Sequence, residues 1–258
     1  MTTRRTFLAG SLAAGTITIL PFSAMAAAHA SNMFETDAGE IKIHPIEHAS
    51  IVMETPSGTI YVDPVGDASA YSEFPAPDMV LITHEHGDHY SEETLTAIVG
   101  DDTRIVAAQP VFDMLSDGLK EKAEAVSQDA SIEVAGVPIE TIPSYNITEG
   151  RLDFHPRERG DVGFVLTVGG KRIYISGDTE ATDEMRGLEN IDLAFVCMNL
   201  PFTMTSEQAA AGVAEFAPGV VYPYHYRGRD GGTQDPEQFA ALVQAEASDV
   251  EVKLADWY

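Results

Sequence analysis

The residues best able to do chemistry lie together in Thr83-His84-Glu85-His86-Gly87-Asp88-His89, directly after the apolar run Met79-Val80-Leu81-Ile82. Three imidazoles and two carboxylates in seven residues are costly to bury unless a cation orders them, and imidazole with carboxylate is a ligand set of zinc and similar ions. On a helix two ligands of one face stand three or four apart, whereas His84 and His86 are two apart and Asp88 and His89 are adjacent. The stretch therefore reads as a strand running into a tight loop, bent at Gly87.

Other polar residues also follow apolar runs. Together they give His84, His86, Asp88, His89, Asp178 and His225 as candidate metal ligands at strand ends, where sheets gather their loops on one edge. Six ligands exceed what one tetrahedral zinc takes, which points to two divalent metal ions sharing a carboxylate and a water. His48 sits in a bend before a strand and could face such a site, Asp63 could brace a neighbouring loop, and His44 reads as solvated.

These residues need positioning elements. Residues 40–62 read as antiparallel strands, with a turn at Pro56-Ser57-Gly58. Ser91 starts a helix running to about Val99, residues 104–107 form a short strand, and Pro110 begins a short helix. Residues 132–142 alternate as one arm of a hairpin, interrupted at Gly136 and Pro138. The stretch 143–161 is too long for a simple connection, which suits a functional loop. Residues 163–176 form a hairpin about Gly169-Gly170 that delivers Asp178 to a strand end. A buried strand over 191–198 contains Cys197, which reads as an inert core thiol. Thr205 with Gln208 makes a capping box, a strand at 220–222 leads to His225, Asp235-Pro236 starts the last helix, and residues 250–254 form a last strand. No internal repeat is visible in the sequence.

The 258 residues read as a leader, 1–30, and one domain, 31–258. Thr3-Arg4-Arg5-Thr6-Phe7-Leu8 is a twin-arginine pattern, followed by an apolar stretch and small residues suited to cleavage, so the expected address is the periplasm, with no stable membrane anchor after processing. Without Arg4 and Arg5, 13 of the 15 basic residues face 41 acidic ones, a net charge of −28. Such a surface excludes nucleic acid and anionic membrane as partners. The single cysteine excludes an intramolecular disulfide.

The chain resembles the metallo-β-lactamase superfamily, and within it the branch of ascorbate-6-phosphate lactonase-like and N-acyl-phosphatidylethanolamine phospholipase-like hydrolases. Beyond residues 83–89, the likeness rests on His48-Ala49-Ser50, Tyr61-Val62-Asp63-Pro64, Ser176-Gly177-Asp178-Thr179, Thr203-Met204-Thr205 and Pro223-Tyr224-His225-Tyr226. It implies an α/β fold, a four-layered αββα sandwich with the site at one edge. It also implies that His84 and His86 hold a first metal, that Asp88, His89 and His225 hold a second, and that Asp178 bridges them. The family's usual third histidine on the first metal has no direct match, because Tyr145-Asn146 stands in its place. The candidates to complete the set are Asn146, whose amide oxygen suits manganese or iron better than zinc, and His155 further along the same loop; the third reading is that neither does and His155 is a solvent-exposed loop residue.

Such a site argues for hydrolysis: two cations, zinc in the first instance, acidify a water, and a carboxylate such as Asp88 orients it for attack on a lactone, phosphodiester or related ester-like bond. The alternative is a degenerate relative that binds metal or ligand without turnover, a reading that draws on the missing third histidine. Arg151, Arg157, Arg159, Arg227 and Arg229 cluster in two loops assigned to the site. Arg157, Arg159 and Arg227 are the candidates for binding a small anionic substrate, unless they merely pair with nearby acids.

Overall fold

The computed structural model describes residues 32–258, and the twin-arginine leader expected over 1–30 lies outside the described residues. The first half of the chain builds one seven-stranded sheet in sequence order: β1 (Met33–Thr36), β2 (Gly39–Glu47), β3 (Ser50–Thr55), β4 (Gly58–Val62), β5 (Met79–Ile82), β6 (Arg104–Ala108) and β7 (Ala123–Val126). β1 to β4 are antiparallel and β4 to β7 parallel. Parallel neighbours need crossovers. These include α1 (Glu92–Ile98), capped by the Ser91 hydroxyl, with α2 (Gln109–Met114) and α3 (Asp117–Lys120) before β7.

The second half repeats the plan. β8 (Ser131–Val134), β9 (Val137–Pro143), β10 (Val162–Val168) and β11 (Lys171–Ile175) are antiparallel. β11, β12 (Leu193–Cys197), β13 (Val220–Tyr224) and β14 (Glu251–Val252) are parallel. The connecting helices are α4 (Asp183–Arg186), α5 (Ser206–Phe216) and α6 (Pro236–Glu246). The Thr205–Gln208 capping box is formed in full, and Asp235 caps α6 with its carboxylate. Two mixed sheets flanked by helices make the αββα sandwich that the resemblance implies.

Burial follows this plan. β5, β12 and β13 are buried at every position, as parallel strands covered on both faces should be, whereas β8 and β9 alternate. Residues 132–142 are themselves a hairpin, β8 and β9, because Ala135 and Gly136 both take positive φ and turn the chain. Gly169 and Gly170 do the same between β10 and β11. The last strand is shorter than its apolar pattern suggests, and β1, β7 and α4 are too short to register as patterns. His44 is half-buried rather than solvated: its Nε2 lies 3.0 Å from Glu54 and its ring rests on Phe74.

Within the second half, β10 and β11 approach closely at Gly163. A Cβ there would stand 2.7 Å from the Ile175 carbonyl oxygen and 2.8 Å from that of Ser176, both backbone atoms just before Asp178. Gly163→Ala should therefore cost about 1–3 kcal/mol in urea unfolding through forced strand separation. It should also weaken metal binding in a calorimetric titration. Wild-type values in both measurements would show that β10 and β11 can part without disturbing Asp178.

Candidate metal centre

Every strand-end residue named from the sequence comes to one edge. β5 leads into His84, His86, Asp88 and His89, β11 into Asp178, and β13 into His225, whose φ of 46° turns the chain off the strand. Between β9 and β10 the loop is zipped for two more backbone bonds, Ser144 N to Asp161 O and Asn146 N to His155 O. This zipper sets His155 opposite Asn146 and buries its ring at the site.

Three groups of potential ligand atoms result: His84 with His86 and His155, His84 with His89 and Asp178, and Asp88 with His89 and His225. His84 Nε2 is 3.1 Å from His86 Nδ1, His155 Nε2 is 3.4 Å from Asp178 Oδ2, and His89 Nε2 and His225 Nε2 are 3.3 and 3.4 Å from Asp178 Oδ1. Ligands held at ~2.0–2.1 Å around a tetrahedral zinc stand roughly 3.3 Å apart, so these separations suit shared cations. The buried atoms His89 Nε2, His155 Nε2 and Asp178 Oδ1 have no hydrogen-bond partner, and they converge. Buried polar atoms left unpaired in a cluster are costly, which a cation would relieve. The donor set therefore fits metal ions.

Asp63 braces the centre from behind. Its carboxylate accepts from Thr83 N at 2.8 Å, Thr83 Oγ1 at 2.7 Å and His89 Nδ1 at 2.7 Å. The last bond places the His89 proton on Nδ1 and turns the Nε2 lone pair to the site. His48 stands at the rim, its ring edge-on to His225 and its Nδ1 3.3 Å from the Tyr258 hydroxyl. Asn146 Nδ2 donates to the carbonyls of Arg151 and Phe202, tying two loops together, while its buried Oδ1 has no hydrogen-bond partner. His155 brings a third imidazole to His84 and His86, at the place where the sequence offered Asn146 or His155.

The arginines divide. Arg157 lies on the surface, paired with Glu184 at 2.7 Å and the Tyr145 hydroxyl at 2.8 Å. Arg151 pairs with Glu180 at 3.0 Å. Arg159 grips Asp161 and reaches His86 Nε2 at 2.9 Å and His155 Nδ1 at 3.0 Å, so it supports ligands and is already committed. Arg227 lies on the Tyr258 ring, 3.8 Å from its centroid. Asp161 as a partner of His155 and Asn199, whose Nδ2 is 3.0 Å from His225 Nε2, take site roles that the sequence did not assign. The one cue was that both polar residues adjoin apolar strands.

Charge in the cluster is uneven. Burial and neighbouring His89 drive the His84 pKa well below its ordinary value, and burial with His155 and Arg159 lowers that of His86 to about 4. For His89 burial acts the same way, but the Asp178 and Asp63 carboxylates outweigh it and raise the pKa well above 6.5. Burial is likewise outweighed by carboxylates at His155, by Asp161 and Asp178, and at His225, by Asp178. Asp178 and Asp88 are held below the usual carboxylate range, burial being outweighed at Asp178 chiefly by His225 and His89, and at Asp88 by the His225 hydrogen bond.

Known proteins are similar to this chain in sequence and fold. A family model described as a β-lactamase superfamily domain matches residues 42–225. A metal-dependent hydrolase from Methanosarcina mazei is 30% identical over 178 residues, covering 66% of this chain and 74% of its own. A solved structure described as a metal-dependent hydrolase from Parabacteroides distasonis superposes with a TM-score of 0.73 at 35% identity, covering 88% of this chain and 98% of that one. A metallo hydrolase from Ignicoccus hospitalis shares the fold, with a TM-score of 0.68 at 20% identity over 84% of this chain and 95% of its own.

Two outcomes are expected. His155→Ala should lose metal from the first group, whereas Asn146→Ala should loosen the loop yet keep full metal content, and His44→Ala should change neither. Metal analysis after gel filtration decides this, and equal retention in His155→Ala and Asn146→Ala would remove His155 from the ligand set. Because the raised pKa values of His89, His155 and His225 keep protons on them that a cation must displace, metal affinity should rise as pH is taken upward past 6.5, with proton release on loading. Calorimetric titration in buffers of different ionisation enthalpy measures that release. Affinity independent of pH would mean that these three imidazoles are not displaced.

Proposed function

The chain belongs to the β-lactamase superfamily of metal-dependent hydrolases, and from that premise we propose that it cleaves an ester-like bond, such as a lactone or phosphodiester, in a small anionic molecule, at two divalent cations. The observation that carries the two-cation reading is the reach of Asp178: Oδ2 faces His155 of the first group, and Oδ1 faces His89 and His225 of the second. His84, His86 and His155 would hold one cation and Asp88, His89 and His225 the other, with Asp178 common to both. This histidine-rich set favours zinc, with manganese or iron as alternatives. Bound there, the cations would acidify a water and polarise the substrate's carbonyl or phosphoryl oxygen.

The chain's own residues supply the rest. Asp88 is the acid with its side chain half open to the cavity, 46% exposed, and its Oδ2 lies 3.4 Å from His225 Nε2. A carboxylate held ionised at that place accepts a hydrogen bond from the attacking water and orients it. His48 and Tyr258 stand on the His225 side, where they limit access. Of the arginines named from sequence, Arg157 serves as a strut and Arg159 as a support for His86 and His155.

Export through the twin-arginine route to the periplasm is part of this proposal. It rests on residues 1–30 and suits a protein that folds around metal before transport. Among the described residues no helix is long and apolar enough to cross a membrane. Cys197 is buried, and burial raises its thiol to about 12, so it offers no reactive thiolate to an oxidising compartment.

Metal-loaded protein should turn over at least one of a lactone, a phosphodiester, a carboxyl ester and a thioester. A chelator should abolish the activity, and added zinc or manganese should restore it. If protein holding about two cations per chain cleaves none of the four, the ester-like substrate class is wrong.

A further inference from the structure

One arginine stands apart. A cavity of about 390 Å³ opens over the metal centre, and besides the centre's own side chains its wall is Phe154, Phe202 and Arg229. That volume lies near the lower end of the ~300–1,000 Å³ typical of small-molecule sites. Phe154 and Phe202 pack edge to face with centroids 5.2 Å apart, and the Arg229 guanidinium lies over Phe202 at 4.9 Å. Arg151, Arg157 and Arg159 each pair with a carboxylate, and Arg227 rests on Tyr258 away from this wall. Arg229 makes no ion pair among the described residues.

Its placement is built into the chain. Arg229 N donates to the Leu200 carbonyl at 3.0 Å, and the flanking glycines press on that same group: a Cβ on Gly228 or Gly232 would come within 2.3 and 2.2 Å of the Leu200 oxygen. Only glycine lets the 226–234 loop lie so close to the Leu200–Phe202 loop, and that closeness brings Arg229 onto the Phe202 ring. On a chain with net charge −26, a cation without a carboxylate partner at a cavity mouth marks where an anion would be drawn in.

We infer that Arg229 and the Phe154–Phe202 pair form a two-part recognition site, and that the substrate is a small ester-like compound carrying a carboxylate or phosphate beside an aryl or branched alkyl group. Arg229 takes the anion through its donor fork, and the two rings take the apolar part, with the scissile bond left over the metal centre. This inference rests on the hydrolytic reading above for the reaction, but not for the binding.

The experiment uses full-length, metal-loaded protein and three probes: phenylphosphonate, phenylacetate and the neutral phenylacetamide. Isothermal titration should show both anions binding more tightly than the amide. In Arg229→Gln the anions should weaken about tenfold, as loss of a charge-assisted hydrogen bond implies, with the amide unchanged. Arg227→Ala should stay within about twofold of wild type for all three probes. Anion affinity unchanged in Arg229→Gln would mean coordination by metal only and would overturn the site, as would equal losses in Arg229→Gln and Arg227→Ala. In parallel, the kcat/KM ratio of mono-4-nitrophenyl succinate to 4-nitrophenyl acetate should fall about tenfold in Arg229→Gln. Arg229-dependent binding without any ester turnover would sink the hydrolytic reading and leave the recognition site standing.

Discussion

Asp178 is a buried carboxylate surrounded at 3.3–3.4 Å by the ring nitrogens of His89, His155 and His225. Taking such a group out of water costs several kcal/mol unless opposite charge compensates it. The imidazoles compensate in part, which is why the acid is held ionised and two of these histidines share its field with further carboxylates, Asp63 and Asp161. A cation completes the compensation, so the same atoms that make the site costly to fold make it bind metal. The architecture follows from the need to bring that carboxylate and those rings to one place from segments up to 141 positions apart, from His84 to His225.

The two halves of the sandwich solve that problem in the same way. Each runs four antiparallel strands and then three parallel ones. Asp63 follows the fourth strand of the first half, and Asp178 follows the fourth strand of the second. The turn between the second and third strands carries His48 in the first half, and the corresponding loop carries His155 in the second. The fifth strand leads to His84 in one half and to Asn199, next to His225, in the other. Equivalent strand ends thus converge on one edge, but the halves differ in chemistry: Asp63 orients a ligand through Nδ1, whereas Asp178 faces the centre itself. No repeat is legible in the sequence, because a strand's apolar alternation is satisfied by many residues and only the register of pairing is preserved.

The candidate ligands after β5, β11 and β13 were legible because each follows an apolar run, Met79–Ile82, Ile173-Tyr174-Ile175 and Val220–Tyr224, and a buried run has to end at the sheet edge. Asp63 was legible for the same reason. His155 was legible only as one of two candidates with Asn146, since its place depends on the backbone zipper Asn146 N to His155 O, a pairing without side-chain pattern. Side-chain pairing across the fold was equally hidden. Arg157 finds Glu184, a residue of α4 that lies 27 positions on, and not one of the acids beside it. Local charge sequence says which residues could pair but not which ones the fold brings within reach. His44 illustrates the converse, since alternation along β2 predicted the solvated face and only the neighbouring strand supplies Glu54.

Where the fold is rigid and where it is open follows from the same division. His84, His89 and His225 follow strands buried throughout, and the Nδ1 atoms of His84, His89 and His155 are tied to Thr83, Asp63 and Asp161. The cavity wall comes instead from the loops carrying Phe154, Phe202 and Arg229, which hold one another by ring contacts and by glycine-dependent backbone packing. Exchange of the Phe202 or Arg229 side chain leaves the strands and the ligands at their ends untouched, whereas exchange at a strand end unpairs a buried polar group. Reaction chemistry and substrate choice therefore draw on different side chains, which become neighbours at Phe154 and His155. The sequence around Gly228 and Gly232, more than the metal motif, places the Arg229 guanidinium at the mouth of the cavity over the metal centre.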